Sequence, residues 1–388
     1  MPPYGPGAPR LGGYARHVRV LVVSAPVPGH LSPMLPLAAA LWDSGHEVLV
    51  ASGGDALAAG TGNLPAIDVA RNVRFGRIAA TAMVAHPVTA RAELAGRGGE
   101  RGVRSVFGPV NEELADALVT VVAQWRPDVV VHEPLAASGA LAAARHDVPT
   151  VLLENNLFHG RELVDATLGA RTMQRALWRH GMTELPGPAV TLTIAPASLV
   201  GHRAGLPMRP GTPDREPEPD AVPGWLRAPS ERPRVLVTRT TVGGPGRGDP
   251  MGAAVRAADG LDCELVLVRP SARIARKMPN GVRGVGWVPM PDVLPGCAAV
   301  VHHGGAGTVL AALAAGIPQL AVPGGGDRRH NAELVATRGA GLSGPVTTEA
   351  LQRLVHDGEL AATAREVRTE IEAMPPPQAR VDAIAALA

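Results

Sequence analysis

Two stretches of this 388-residue chain hold residue types that could do chemistry together. One is His302-His303-Gly304-Gly305-Ala306-Gly307-Thr308. Its glycines would let an anion approach the backbone. Thr308 offers a hydroxyl, and His302 or His303 can donate a hydrogen bond or a charge. If a helix begins at Ala306, its unpaired N–H groups and its dipole point at the same spot, which suits a phosphate. The other is Gly29-His30. An imidazole titrates near neutrality and can take a proton from a hydroxyl. Glu133 is its candidate partner, because a carboxylate that accepts the Nδ1–H fixes the tautomer and stabilises the charged ring.

These groups need particular elements to place them. Cys297 to Val301 is a short apolar run and reads as a buried strand; it breaks at Gly304-Gly305. Ala306 to Ala315 then carries Val309, Leu310 and Leu313 at helical spacing, and Gly316 with Pro318 ends it. No Gly-Lys-Ser/Thr follows these glycines, and their spacing is not GxGxxG, so neither common phosphate loop applies to this turn. Near the start, Val18 to Ser24 is a continuous apolar strand. A helix with Leu35, Leu37, Ala38, Leu41 and Trp42 follows, then a strand from Glu47 to Ala51. That is a βαβ unit opening a doubly wound sheet, and the loop holding His30 faces the ligand crevice.

Further along, Asn111 reads as the cap of an amphipathic helix whose core face is Leu114, Leu118, Val121 and Trp125. The strand Asp128 to His132 then delivers Glu133 to the crevice side; a solvated Glu133 next to His132 is the plainer alternative. Asn155, Asn156 and Phe158 follow the strand Thr150 to Glu154 and are expected to border an acceptor. Glu162 to His180 reads as one helix with Trp178 packed. Residues 71–109 have poor periodicity and read as a long loop. After the strand Arg234 to Thr238, Thr241 and the glycines behind it suggest a second phosphate contact.

The combination His-His-Gly-Gly-x-Gly-Thr, Gly-Ile-Pro-Gln from Gly316, and Asp327 to Asn331 resembles the donor-binding segment of family 1 glycosyltransferases, the antibiotic type of actinomycetes. Gly-His-x-x-Pro at His30 is similar to the segment holding that family's general base. The resemblance covers the chain after residue 17 and is nearest to transferases that decorate enediynes and other polyketides. It implies the GT-B architecture: two Rossmann-like αβα domains facing across a cleft, with a C-terminal helix crossing back to the first. It implies an inverting transfer of a deoxysugar from a nucleotide diphosphate, by resemblance thymidine, with His30 and Glu133 catalytic and no metal. Gly286-Trp287-Val288-Pro289 would supply the nucleobase face. Asp327 would contact donor-sugar hydroxyls. Arg328 stands where the family has glutamine; being a donor only, it suggests a sugar that presents acceptors there and no ammonium group.

The expected division is a disordered lead-in at 1–17, an acceptor domain at 18–205, a linker at 206–233, a donor domain at 234–374 and the returning helix at 375–388. A net charge of +2 is too balanced for nucleic acid. No apolar run is long enough to span a membrane. Two cysteines in apolar runs give no disulfide framework or metal motif and fit a reducing cytoplasm. Partners are then a small-molecule acceptor and the nucleotide sugar, which is co-substrate and not cofactor; a homodimer is left open. Two rivals stand beside this reading: a nucleotide-sugar 2-epimerase of the same fold, and a non-catalytic helper of a partner transferase.

Overall fold

A computed structural model describes residues 17–211, 222–240 and 250–388. The expected lead-in therefore lies outside the described residues up to position 16, as does Thr241. The first sheet contains β1 (Arg19–Val23), β2 (Glu47–Ser52), β3 (Ala66–Asp68), β4 (Val129–His132), β5 (Thr150–Glu154), β6 (Val190–Thr193) and β7 (Leu206–Pro207). The second contains β8 (Arg234–Val237), β9 (Glu264–Val268), β10 (Val282–Val285), β11 (Ala299–His302), β12 (Gln319–Ala321) and β13 (Gly341–Ser343). Their orders are β3-β2-β1-β4-β5-β6-β7 and β10-β9-β8-β11-β12-β13, and every pairing is parallel. Parallel strands buried on both faces need continuous apolar runs, which Val20–Val23, Val129–Val131 and Ala299–Val301 supply. The order reverses beside β1 in one sheet and β8 in the other, so the crevices open where β1 meets β4 and where β8 meets β11.

The two halves share an apolar core. Val381 and Ile384, on the helix Val381–Ala385, are buried in one cluster with Leu37, Leu41 and Met208 of the first half and Leu313 and Val367 of the second. Arg380 clamps the return by donating to the Pro207 carbonyl from Nε at 3.0 Å and from Nη2 at 2.6 Å. Within the expected linker, Pro207 pairs in the first sheet, and Val222 and Leu226 are buried under the second.

Four expectations need correction. Residues 71–109 are not a loop: they form the helices Phe75–Ala85 and Pro87–Leu94, then the start of a helix running Gly99–Trp125. Asn111 is not a cap but lies inside that long helix. It is fully buried, donating to the Phe107 and Leu135 carbonyls and accepting from the Ser138 amide. Glu162 to His180 is two helices, Gly160–Leu168 and Arg171–Arg179. Trp178 does not pack: it is 81% exposed.

Candidate active site

The turn of helix Pro28–Leu31 holds His30 beyond the end of β1. Its ring Nδ1 lies 3.2 Å from Glu133 Oε2, a bent approach. Glu133 is fully buried, not solvated, and its position leaves little freedom: Oε1 accepts from the Ala25 amide at 3.1 Å and Oε2 from the Leu135 amide at 2.8 Å. Burial pushes the Glu133 pKa up, but His30 and these two amides outweigh it and hold the carboxyl below its ordinary range. Burial likewise pushes the His30 pKa down, and Glu133 overcomes that, with help from Asp327, so the net shift is upward. With Nδ1 facing the carboxylate, Nε2 is the nitrogen left for the cleft, and the side chain keeps 22% of its exposure.

Asn155 does not line an acceptor site with its amide. It is buried and donates to the His30 carbonyl at 2.8 Å, so it positions the turn. Asn156 is half-buried and closes its own turn, accepting from the Phe158 amide at 2.9 Å. The Phe158 ring stacks on His330 of the other half, with centroids 4.2 Å apart and planes 11° from parallel. Arg203 pins the same loop by donating to the Phe158 and Leu157 carbonyls.

Across the cleft, the helix Ala306–Ala315 begins where the glycine turn placed it. Its N-cap Gly305 offers no side-chain bond, and the Ala306 and Gly307 amides meet no acceptor among the described residues. Thr308 donates its own amide to the Gly305 carbonyl. Gly304 has φ +83, and a Cβ there would lie 2.7 Å from the Arg328 carbonyl, so only glycine fits between the turn and residue 328.

The two histidines separate. His302 is not a donor-site residue: it is fully buried, Nδ1 accepts from the Gly304 amide at 3.0 Å, and Nε2 donates to Gln319 Oε1 at 2.8 Å. It shapes the turn from below. His303 is partly exposed, and its buried Nδ1 has no partner. Burial drives His302 down to about 4 and His303 down to about 3, the latter with help from His302 and Arg328, so both are neutral at pH 7. Of the two roles open to these histidines, donating a hydrogen bond or a charge, the burial of both rings favours the hydrogen bond.

Trp287, just past β10, is 52% exposed, as a ring offered to a ligand would be. Val288 is 1% exposed, so its side chain belongs to the core rather than to the site. Asp327 accepts from Asn331 Nδ2 at 2.7 Å, and the same amide donates to the Gly304 carbonyl at 2.9 Å, tying this carboxylate to the glycine turn. The end of helix Pro87–Leu94 docks on this edge. Gly326 donates its amide to the Glu93 carbonyl and Arg329 Nε donates to the Ala95 carbonyl at 2.7 Å. Gly96, at φ +68, permits the approach: a Cβ would sit 2.3 Å from the Gly324 carbonyl.

Sequence reasoning missed Phe107 and Phe75. The Phe107 ring lies 5.8 Å from the His30 ring, and Phe75 lies 5.9 Å from Phe107. With Phe158 these are the chain's three phenylalanines. None is fully buried, and their scarcity, three in 388 residues, is the one sequence signal that could have singled them out. Among the described residues, no three His, Cys, Asp or Glu side chains gather as a metal would require, and no helix is long and apolar enough to cross a membrane.

Two parallel α/β units, one presenting a His–Glu pair and the other an open helix end, define a GT-B glycosyltransferase. Family models bear this out. The erythromycin biosynthesis protein CIII-like N-terminal domain matches residues 39–240, and the C-terminal domain of the same description matches residues 253–387. The elloramycin glycosyltransferase ElmGT of Streptomyces olivaceus is 34% identical over 93% of this chain and 95% of its own. The crystal structure of the glycosyltransferase SnogD from Streptomyces nogalater aligns with a TM-score of 0.78 and 30% identity, covering 96% of this chain and all of that one, 100%. SsfS6 from Streptomyces sp. SF2575, complexed with thymidine diphosphate, aligns with a TM-score of 0.76 and 26% identity over 95% of this chain and 100% of its own. The chain belongs to the erythromycin biosynthesis protein CIII-like family, among the natural-product glycosyltransferases of actinomycetes, and it is a glycosyltransferase.

Proposed function

We propose that this enzyme moves a deoxysugar from a thymidine diphosphate donor to a hydroxyl of a polyketide-type acceptor, the enediynes included, with inversion at the anomeric carbon. The acceptor oxygen forms its bond to that carbon while the bond to the β-phosphate oxygen breaks. The electron pair leaves with the diphosphate, and His30 Nε2 takes the hydroxyl proton. Glu133 offsets the charge that builds on the ring. The departing diphosphate meets the open end of helix Ala306–Ala315, where fixed dipoles act without reorganising. No step calls for a divalent ion, because the helix end lies where the charge develops. Both thiols are buried and reduced, which suits the cytoplasm.

The observation that carries the reading is the pairing of His30 with the buried Glu133 at 3.2 Å in one half, while the other half offers the uncapped start of helix Ala306–Ala315. The Phe158–His330 stack, with centroids 4.2 Å apart, holds the two halves together beside them. SsfS6, so similar in fold, holds thymidine diphosphate, which favours that nucleotide. The test is a chromatographic transfer assay with thymidine diphosphate deoxysugar and an apolar polycyclic alcohol, with EDTA present. Glycosylated product of inverted anomeric configuration is expected. A strict magnesium requirement would contradict the mechanism, and turnover of donor alone would mark an epimerase.

On the acceptor side, the Phe75–Phe107 pair beside His30 favours a flat, apolar acceptor laid against aromatic rings. Such a contact is worth about 0.5–1.5 kcal/mol beyond area burial. Phe107→Ala is thus expected to raise the acceptor KM by roughly tenfold while leaving the donor KM unchanged. An unchanged acceptor KM would take Phe107 out of the acceptor site.

A further inference from the structure

Departing diphosphate needs compensating charge; His302 cannot turn to it, because Gly304 and Gln319 engage both its ring nitrogens, and burial holds His303 well below its ordinary pKa. Arg328 has the geometry to do so. It opens the helix Arg328–Arg338, and its backbone carbonyl abuts Gly304. Its side chain then runs back past Gly324, where a Cβ would lie 3.1 Å from Arg328 Cδ, and Nη2 donates to Thr240 Oγ1 at 3.1 Å. Thr240 stands just beyond the end of β8, on the other side of the switch point from the glycine turn. The guanidinium therefore spans the crevice between β8 and β11, near enough to His303 to depress its protonation. No carboxylate pairs with Arg328 among the described residues, although thirteen other His or Arg groups in this fold make such pairs or share them; its neighbour Arg329 reaches Glu333 at 3.6 Å. A part-buried cation without an anion, beside two uncapped helix amides and the unpartnered Nδ1 of His303, fits a ligand that brings its own negative charge.

We propose that Arg328 binds the donor's β-phosphate and stabilises the leaving diphosphate, instead of touching the sugar. This rests on the transferase reading and deepens it. A guanidinium gives two parallel N–H donors to phosphate oxygens and stays charged throughout turnover. It receives no proton: as the anomeric C–O bond breaks, the electron pair settles on the β-phosphate oxygen that Arg328 already holds. The arginine thereby supplies the positive charge that a metal supplies in other phosphoryl chemistry, at a position where the resembled family has glutamine.

The test is calorimetric titration of wild type, Arg328→Gln and Arg328→Lys with thymidine diphosphate and with thymidine monophosphate. Charge-assisted hydrogen bonds of this kind are worth about 10- to 100-fold in affinity. Arg328→Gln should weaken the diphosphate by that factor and leave the monophosphate unchanged, with Arg328→Lys between. Monophosphate binding also reports whether the variant is folded. Turnover of the activated sugar should fall with kcat rather than donor KM alone. Equal losses for both nucleotides, or none, would overturn the assignment. If wild type bound neither nucleotide, the transferase reading itself would fall first.

Discussion

His30→Ala is expected to lower kcat by about 10²–10⁴, the usual worth of a positioned general base. An acceptor alcohol is a poor nucleophile at neutral pH, and Nε2 is the basic atom that the His30 turn offers to the cleft. Nucleotide affinity should be untouched, because the helix end and Trp287 belong to the second domain. The fold should also stand, since Glu133 keeps its bonds from the Ala25 and Leu135 amides when the imidazole is gone. Single-turnover rates with a poorly activated alcohol, alongside titration with thymidine diphosphate, separate these effects. Undiminished turnover would exclude His30 as the base; lost nucleotide binding would mean that the substitution had disturbed the domain closure instead.

The parts of this arrangement that were legible beforehand are those written in buried apolar patterns. Ala306–Ala315 has the expected bounds, because Val309, Leu310 and Leu313 bury one face and Gly316, at φ +69, ends it. His30 and Glu133 meet because both follow strands that neighbour each other in a parallel sheet, a consequence of the βαβ order. The helices Phe75–Ala85 and Pro87–Leu94 were invisible for the opposite reason. Between them only Ala82 is buried, so they carry no apolar stripe and no periodicity betrays them. Trp178 misled for a related reason. Met173, Ala176 and Leu177 form the inward face of its helix, and the next residue turns about 100° away from Leu177. The neutrality of His302 and His303 had no sequence signature either, since it arises from burial that only the assembled sheet creates.

Replacing Glu133 by glutamine separates two roles that its side chain combines, and it should cost turnover up to about 10⁴, as replacing the buried carboxylate behind a catalytic histidine does elsewhere. The pH profile carries the finer content. In wild type the carboxylate holds the His30 pKa above its ordinary value against the opposing effect of burial. Transfer requires the neutral ring, so kcat/KM should rise with pH through that raised pKa. In Glu133→Gln the burial effect remains and the attraction is gone, so the acid limb should move to lower pH. The plateau falls at the same time, because a ring with a lower pKa is a weaker base and its charged form has lost its stabiliser. Glutamine keeps one carbonyl for a backbone amide but sets an NH2 group against the other, so thermal melts must accompany the kinetics. A lower plateau with an unmoved acid limb would confine Glu133 to holding the turn and place the observed titration on another group. A limb displaced downward, with nucleotide affinity preserved, would tie the titrating base to this carboxylate.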